Sequence, residues 1–197
     1  MKLLRIRPIV AISFLLSTNL NALPGLSQSL TLSEEKAQLG EIHYSARVGG
    51  TIPTQGDTFL VQVLSEGDVL RRIQVGTNEE VNFQVVQALL LVVEDSVGQA
   101  RELTIGNANS EWKESVEVPE GAELVGISGA SGWWIDQIRF HFSDGSASDT
   151  FGGTGGDTDF RLLLSQRDKK WKGRWLGFWG THTNYLESLG LIFWPIE

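Results

Sequence analysis

From residue 59 onward, apolar and polar positions along the chain tend to alternate with a period of two. The runs FLVQVL (59–64), VLRRIQV (69–75), VNFQV (81–85), ALLLVVE (88–94), ELVGIS (123–128), IDQIRFHF (135–142), FRLLL (160–164) and LESLGLIFW (186–194) are short and mostly rich in β-branched or aromatic residues. Alternation at that period sends successive side chains to opposite faces, so each run predicts a strand with one face in a core. SEGD, GTNEE, DSVGQ, PEG, SDGS and QRDKK separate the runs and supply turn-forming residues. No stretch beyond residue 30 shows the period of an amphipathic helix. Many short strands at regular spacing predict an all-β protein, built as a sandwich, a barrel or a prism.

An internal repeat refines that expectation. ELVGISGASGWWIDQIRFHF (123–142) lies on RWLGFWGTHTNYLESLGLIF (174–193) in one register without a gap. Gly126 meets Gly177, Gly129 meets Gly180, Trp134 meets Tyr185, Ile135 meets Leu186 and Asp136 meets Glu187. The apolar positions Ile138, Phe140 and Phe142 meet Leu189, Leu191 and Phe193. Each copy reads as strand, glycine-punctuated loop, strand, with an acid just after the loop. Tryptophan is concentrated in this half, at 133, 134, 171, 175, 179 and 194, and only Trp112 precedes it. The tryptophans at 171, 175, 179 and 194 read as core or sheet-packing residues.

Composition and charge narrow the function. The chain has 197 residues, no cysteine and a net charge of −8, so its stability rests on packing and not on disulfides. Lys2, Arg5 and Arg7 precede the apolar run IVAISFLL (9–16), with small residues following, which is the layout of a secretory signal peptide over residues 1–28. The run is too short to span a bilayer. The expected destination is secreted, periplasmic or cell-surface. An acidic chain is a poor partner for nucleic acid, whose phosphates need a basic patch.

The candidate chemistry lies in GWWID (132–136) and FGGTGGDTDF (151–160). A sugar offers an apolar patch of C–H groups and a rim of hydroxyls, so its site needs an aromatic plate and a few fixed polar groups. Trp133 and Trp134 can supply the plate. Their side chains point oppositely in an extended segment, which sends one towards the core and leaves one beside a ligand. An ionised Asp136 accepts two hydroxyl hydrogen bonds. The glycine loop exposes main-chain N–H donors.

GWWID, the preceding LVGISG and the following GGTGG resemble the jacalin-related lectins. The resemblance covers about residues 120–197, and GxxxD alone would be a weak signal. It implies a β-prism of three Greek-key sheets binding mannose or galactose, with the aspartate and main-chain amides holding the sugar. Carried over by position, Gly132, Trp133, Trp134 and Asp136 match the family's GxxxD loop, and Gly152 and Gly153, with Thr154 beside them, match its GG loop. GWWID is similar to an aromatic form of the loop among galactose-preferring members. The second copy departs from the pattern, with Thr183 for the glycine and Glu187 for the aspartate. A second site at Tyr185 and Glu187 would need Gly49 and Gly50 (RVGGT) to close against it, as an N-terminal GG segment does in the family.

The third sheet must come from the strands between 59 and 105, unless these form a separate module. QVLSEGDVLRRIQV, ALLLVVEDSVG and NANSEWKESV weakly resemble a sandwich of the novel putative carbohydrate-binding module type. The expected division is therefore a β-sandwich-like region at 29–108 and a jacalin-like lectin domain at 109–197 that borrows strands from upstream. GGTGGDTDF approaches a calcium nonapeptide but occurs once, where such sites need stacked repeats. His43, His141 and His182 lack metal-ligand spacing, and no cofactor is expected. Three function classes stay open: a non-enzymatic lectin whose partners are glycans, helped by self-association; a structural or adhesion β-domain; and an accessory subunit of a glycoside hydrolase.

Overall fold

The computed structural model describes residues 42–50, 56–80, 83–164 and 173–195. The signal segment, Thr51, the QRDKK turn and Trp171 lie outside the described residues. All described elements are strands: β1 (His43–Tyr44), β2 (Val48–Gly49), β3 (Asp57–Gln62), β4 (Val69–Glu80), β5 (Phe83–Glu94), β6 (Ala100–Gly106), β7 (Trp112–Glu117), β8 (Leu124–Ser131), β9 (Ile135–Phe142), β10 (Phe151–Gly152), β11 (Thr158–Leu163), β12 (Gly173–His182) and β13 (Leu186–Pro195). They form three antiparallel sheets. Each is a central hairpin, β4/β5, β8/β9 or β12/β13, with flanking strands on both sides. In two sheets the flanking strands follow the hairpin in the chain, giving the orders β6-β5-β4-β7 and β10-β9-β8-β11. In the third they come from the opposite end of the chain, where β1 and β2 pair with β13 and β3 pairs with β12. This is the expected β-prism, closed by N-terminal strands.

The sequence repeat reappears as a repeat of irregularities. β8/β9 slips register between Leu124 and Gly126 and between Ala130 and Ser131; β12/β13 does so between Trp175 and Gly177 and between Thr181 and His182. These are the same positions in the repeat. Bulges of this kind add twist and curl a sheet. A side chain on Gly126 or Gly129 would collide with the carbonyl oxygen of Leu162 or Gln137. On Gly177 or Gly180 it would collide with that of Val61 or Ser188. The paired glycines thus mark close approaches of neighbouring strands.

The hairpin β4/β5 carries the same two slips, between Leu70 and Arg72 and between Gly76 and Thr77. It is a third copy that the residues alone do not announce. Arg72 and Val75 stand where the other copies have glycine, and its tip is longer, continuing through Asn78↔Val85, Glu79↔Gln84 and Glu80↔Phe83. The boundary expected between 108 and 109 falls in the turn joining β6 and β7, both strands of one sheet. The described residues cluster as one compact unit.

One core lies between the sheets and draws on equivalent positions of all three hairpins. Val86, Ile135 and Leu186 are each fully buried, as are Leu89, Ile138 and Leu189, and Ile73, Ile127 and Phe178. Phe140 at 0% exposure and Leu91 and Leu191 beside it continue the pattern. Phe140→Ala should therefore destabilise the fold by about 3–5 kcal/mol, the cost of an aromatic-sized cavity. Leu60→Ala, at a side chain 60% exposed, should cost no more than about 0.5 kcal/mol. Urea unfolding of both variants measures the contrast.

Candidate functional site

Asp136 is positioned by its neighbour. Ile135 opens β9 and points into the core, so the next side chain leaves on the opposite side of the strand. Even so, the aspartate is only 7% exposed, because two loops close over it. From the first, the Gly132 N–H donates to Asp136 Oδ2 at 2.7 Å and also reaches the Trp134 carbonyl oxygen at 3.1 Å. From the second, the Gly153 N–H donates to the main-chain oxygen of Asp136 at 3.0 Å. Gly155 lies against Asp136 Oδ1, where a β-carbon would collide with the carboxylate. Gln137 Nε2 steadies that loop by donating to the Gly155 oxygen at 3.3 Å.

The glycines of this site do different work. Gly152 has φ +98°, a conformation that side chains rarely adopt, and it packs on the Asp136 carbonyl. Gly153 makes room for the main chain of Gln84 in the long β4/β5 hairpin. Gly132 is unlike both: a β-carbon there would meet only Asp136 Oδ2 at 3.6 Å and the Gly156 Cα at 4.0 Å. Among the described residues, nothing requires glycine at 132 for space. Its bare face borders a small notch, wide enough for a β-carbon, beside the Asp136 carboxylate and Gly156. Thr154 is exposed at the rim, and Gly156 and Asp157 complete the loop.

The carboxylate is electrostatically poised. Burial is the largest influence and pushes the Asp136 pKa up; the charge of Asp157 adds to the rise, and the Gly132 hydrogen bond opposes it. A partly desolvated acid with spare acceptor capacity beside a notch is a feature of ligand sites. Among the described residues, no acceptor is found for the main-chain N–H groups of Trp133 and Trp134. Neither tryptophan joins the core, contrary to the expectation for one of them. Trp133 is 61% exposed, and half-buried Trp134 leans on Tyr185 of the neighbouring hairpin at 4.8 Å between ring centroids.

The second copy builds a corner of the same backbone shape. Gly49 has φ +105°. Gly50 N–H donates to the Glu187 carbonyl oxygen at 2.7 Å, and Thr183 N–H reaches the Tyr185 oxygen at 3.0 Å, matching the Gly132 to Trp134 bond. Gly49 and Gly50 thus close against the main chain of Glu187. The Glu187 carboxylate is buried and lies against Gly56. The third hairpin forms an equivalent corner, where Gly106 has φ +90° and Asn107 N–H donates to the Gln87 oxygen at 3.2 Å. The acid position there is an amide.

Gly155, Gly156 and Asp157 fall in the glycine-rich stretch that the sequence singled out, though without a role of their own there, and Gln84 was missed as a site neighbour. The doubled glycine of GGTGG was the signal for the first two. Gln84 had none, because the long hairpin that carries it is visible only in the fold. The histidines stay apart, and among the described residues no group of three His, Asp or Glu side chains has the geometry to hold a metal ion. His141 is half-buried, with Nε2 2.8 Å from the Ser128 hydroxyl.

Comparison with solved structures defines the fold class. The Malaysian banana lectin superposes with a TM-score of 0.59 at 12% identity, covering 79% of this chain and all of the lectin. The mannose-binding lectin from champedak gives 0.57 at 17% identity, covering 80% and 98%. Calystegia sepium agglutinin gives 0.57 at 19% identity, covering 78% and 95%. The chain therefore has the β-prism fold of the jacalin-related lectins. No family model and no curated protein matches it in sequence.

The raised pKa of Asp136 fixes the sign of a stability effect. The folded state holds this proton to higher pH than the unfolded chain does. Between the two pKa values the folded state binds more protons, and the group's contribution to stability falls as pH rises through that window. Asp136→Asn keeps an acceptor for the Gly132 N–H and removes the buried charge. Its melting temperature at pH 7 should equal or exceed that of the parent; a fall of about 4 °C or more, some 1 kcal/mol or above for a chain of this size, would make the carboxylate a structural group.

Proposed function

We propose that the chain is a carbohydrate-binding protein without enzymatic activity, which holds a mannose-type sugar end at Asp136 between the GWWID loop and the glycine-rich loop. One observation carries the reading: a partly desolvated carboxylate beside a notch that Gly132 leaves open, although packing among the described residues does not need a glycine there. In this reading Asp136 accepts hydrogen bonds from two sugar hydroxyls, and the N–H groups of Trp133 and Trp134 donate to others. The solved structures add support, since they include a mannose-binding lectin from Ananas comosus and artocarpin in complex with methyl-α-mannose. Galactose is the alternative sugar, suggested by the two aromatic residues of the loop. The reading extends to an exported protein, because the basic and apolar start of the chain has the layout of a signal peptide.

A structural or adhesion β-domain is the second reading. It is favoured by the burial of Asp136 and by the packing of Gly153 against Gln84, which commits part of the glycine loop to the fold. Hydrolysis finds less support. Asp136 and Glu187 occupy equivalent corners of different hairpins, and each lies against its own glycine, Gly155 or Gly56, so they do not face one substrate as an acid and base pair.

A monosaccharide of about 12 heavy atoms at roughly −0.3 kcal/mol per atom binds with about −4 kcal/mol, a millimolar Kd. One corner is too weak to act alone, so oligomers or clustered glycans would supply avidity of about 10² to 10⁴. Calorimetric titration with methyl α-mannoside and methyl α-galactoside should give millimolar binding of one of them. Asp136→Asn should cost about 1–3 kcal/mol of it, and Gly132→Ala should fill the notch and weaken binding while the protein stays folded. Unchanged affinity in both variants would overturn the Asp136 site, whereas no binding of either sugar by the folded parent would favour the structural reading.

A further inference from the structure

We propose that the solvent face of the sheet β10-β9-β8-β11 holds a phosphate monoester between Arg139 and Arg161, over the hydrogen-bonded pair Ser128 and His141. The site does not depend on sugar binding at Asp136, from which Arg139 stands three residues, or about 10 Å, along β9.

Ile127, Phe140 and Phe160 are buried on the core side of the sheet, so their neighbours Ser128, Arg139, His141 and Arg161 leave on the opposite side. The register sets Arg139 of β9 and Arg161 of β11 directly opposite Ser128, one on each flanking strand. Two strand spacings separate the arginine Cα atoms by about 10 Å, a gap that two long side chains can close over one tetrahedral anion. Arg139 Nε donates to the Ser148 carbonyl oxygen at 2.8 Å, which anchors the side chain and leaves its terminal N–H groups for a ligand. Ser128 Oγ lies 2.8 Å from His141 Nε2. With the ring proton on Nε2, the imidazole donates to the serine oxygen and the hydroxyl hydrogen turns outward as a further donor.

The ion pairs of the protein single these two arginines out. Arg71, Arg72, Arg101 and Arg174 meet Glu94, Glu117, Asp68 and Glu123 in turn, and Arg47 lies over the Trp179 ring. Among the described residues Arg139 and Arg161 meet no carboxylate, in a chain with 24 acidic residues against 16 basic ones. Asp159 is exposed two residues before Arg161 on the same strand and forms no ion pair with it. The unbalanced charge is felt at His141, whose pKa is lowered by burial first and then by Arg161 and Arg139. A phosphate monoester carries about −1.5 to −2 charges at pH 7, which matches two guanidinium forks. A sulfate ester or a carboxylate, with a single charge, leaves one of them unmatched. Arg139 and Arg161 are both exposed, so the ester substituent projects into solvent.

NMR of the histidine ring and backbone amides, recorded on the whole protein during titration with methyl phosphate, tests the site. Sodium chloride at matched ionic strength is the reference, and methyl sulfate and inorganic phosphate are parallel probes. Methyl phosphate should bind saturably with a Kd of about millimolar, raise the apparent pKa of His141 and shift the amides of Ser128, Arg139 and Arg161. Arg139→Gln and Arg161→Gln should each weaken binding about fivefold, and methyl sulfate should bind more weakly than methyl phosphate. A response no larger than that to chloride, or an affinity that survives both arginine substitutions, overturns the site. Methyl sulfate binding as tightly as methyl phosphate, or inorganic phosphate binding where methyl phosphate does not, overturns the assignment to a phosphate monoester.

Discussion

Three main-chain hydrogen bonds tie the corners of this prism. In each, a glycine in the left-handed region, Gly49, Gly106 or Gly152, turns the chain so that the next N–H reaches a carbonyl oxygen near the start of a hairpin's second strand. The acceptors are Glu187, Gln87 and Asp136. Each acceptor directly follows a fully buried aliphatic residue, Leu186, Val86 or Ile135, which anchors it to the common core. The bond therefore couples the core to the rim, where the side chain of the acceptor residue is presented. A side chain at any of the three glycines would collide with the acceptor oxygen as well as strain the backbone, so the corner tolerates no compromise at that position.

On this frame the three corners diverge through few residues. The Asp136 corner has glycine opposite its acid at 132, an open notch and two unpaired tryptophan N–H groups among the described residues. The Glu187 corner has Thr183 at the equivalent place and a longer, buried acid packed against Gly56. The Gln87 corner has lost the charge, and its hairpin has grown into a longer tip that leans on Gly153 of the first corner. The uncharged corner and the longer tip act as a buttress for the neighbouring corner. The cost of keeping Asp136 desolvated is borne where the reading requires a strong acceptor.

Much of this arrangement was legible in the residues. The period of two gave most of the strands, and IDQIRFHF matches β9 from end to end. The gapless repeat was readable because Gly126, Gly129, Gly177 and Gly180 are forced by close strand approaches, which leave a fixed pattern. The third hairpin escaped notice for the converse reason: Arg72 and Val75 occupy those positions, and the extra length at 78–85 breaks the register. β6 and β7 were obscured by their polar faces, so neither ARELTIG nor WKESVE stood out as an alternating strand. The acid and the first loop of the site were visible as GWWID. The contacts of Gly155, Gly156 and Gln84 were not, because they join segments that meet only when the sheets close.

Backbone NMR of the isotopically labelled protein during titration with methyl α-mannoside, and in a parallel sample with methyl α-galactoside, tests the central claim most directly. The account predicts that the binding sugar shifts amide resonances of residues 132–136 and 153–157, with those of Trp133 and Trp134 among the largest. Shifts confined to the Thr183 and Gly50 corner, or no shift with either sugar at concentrations well above millimolar, would contradict it.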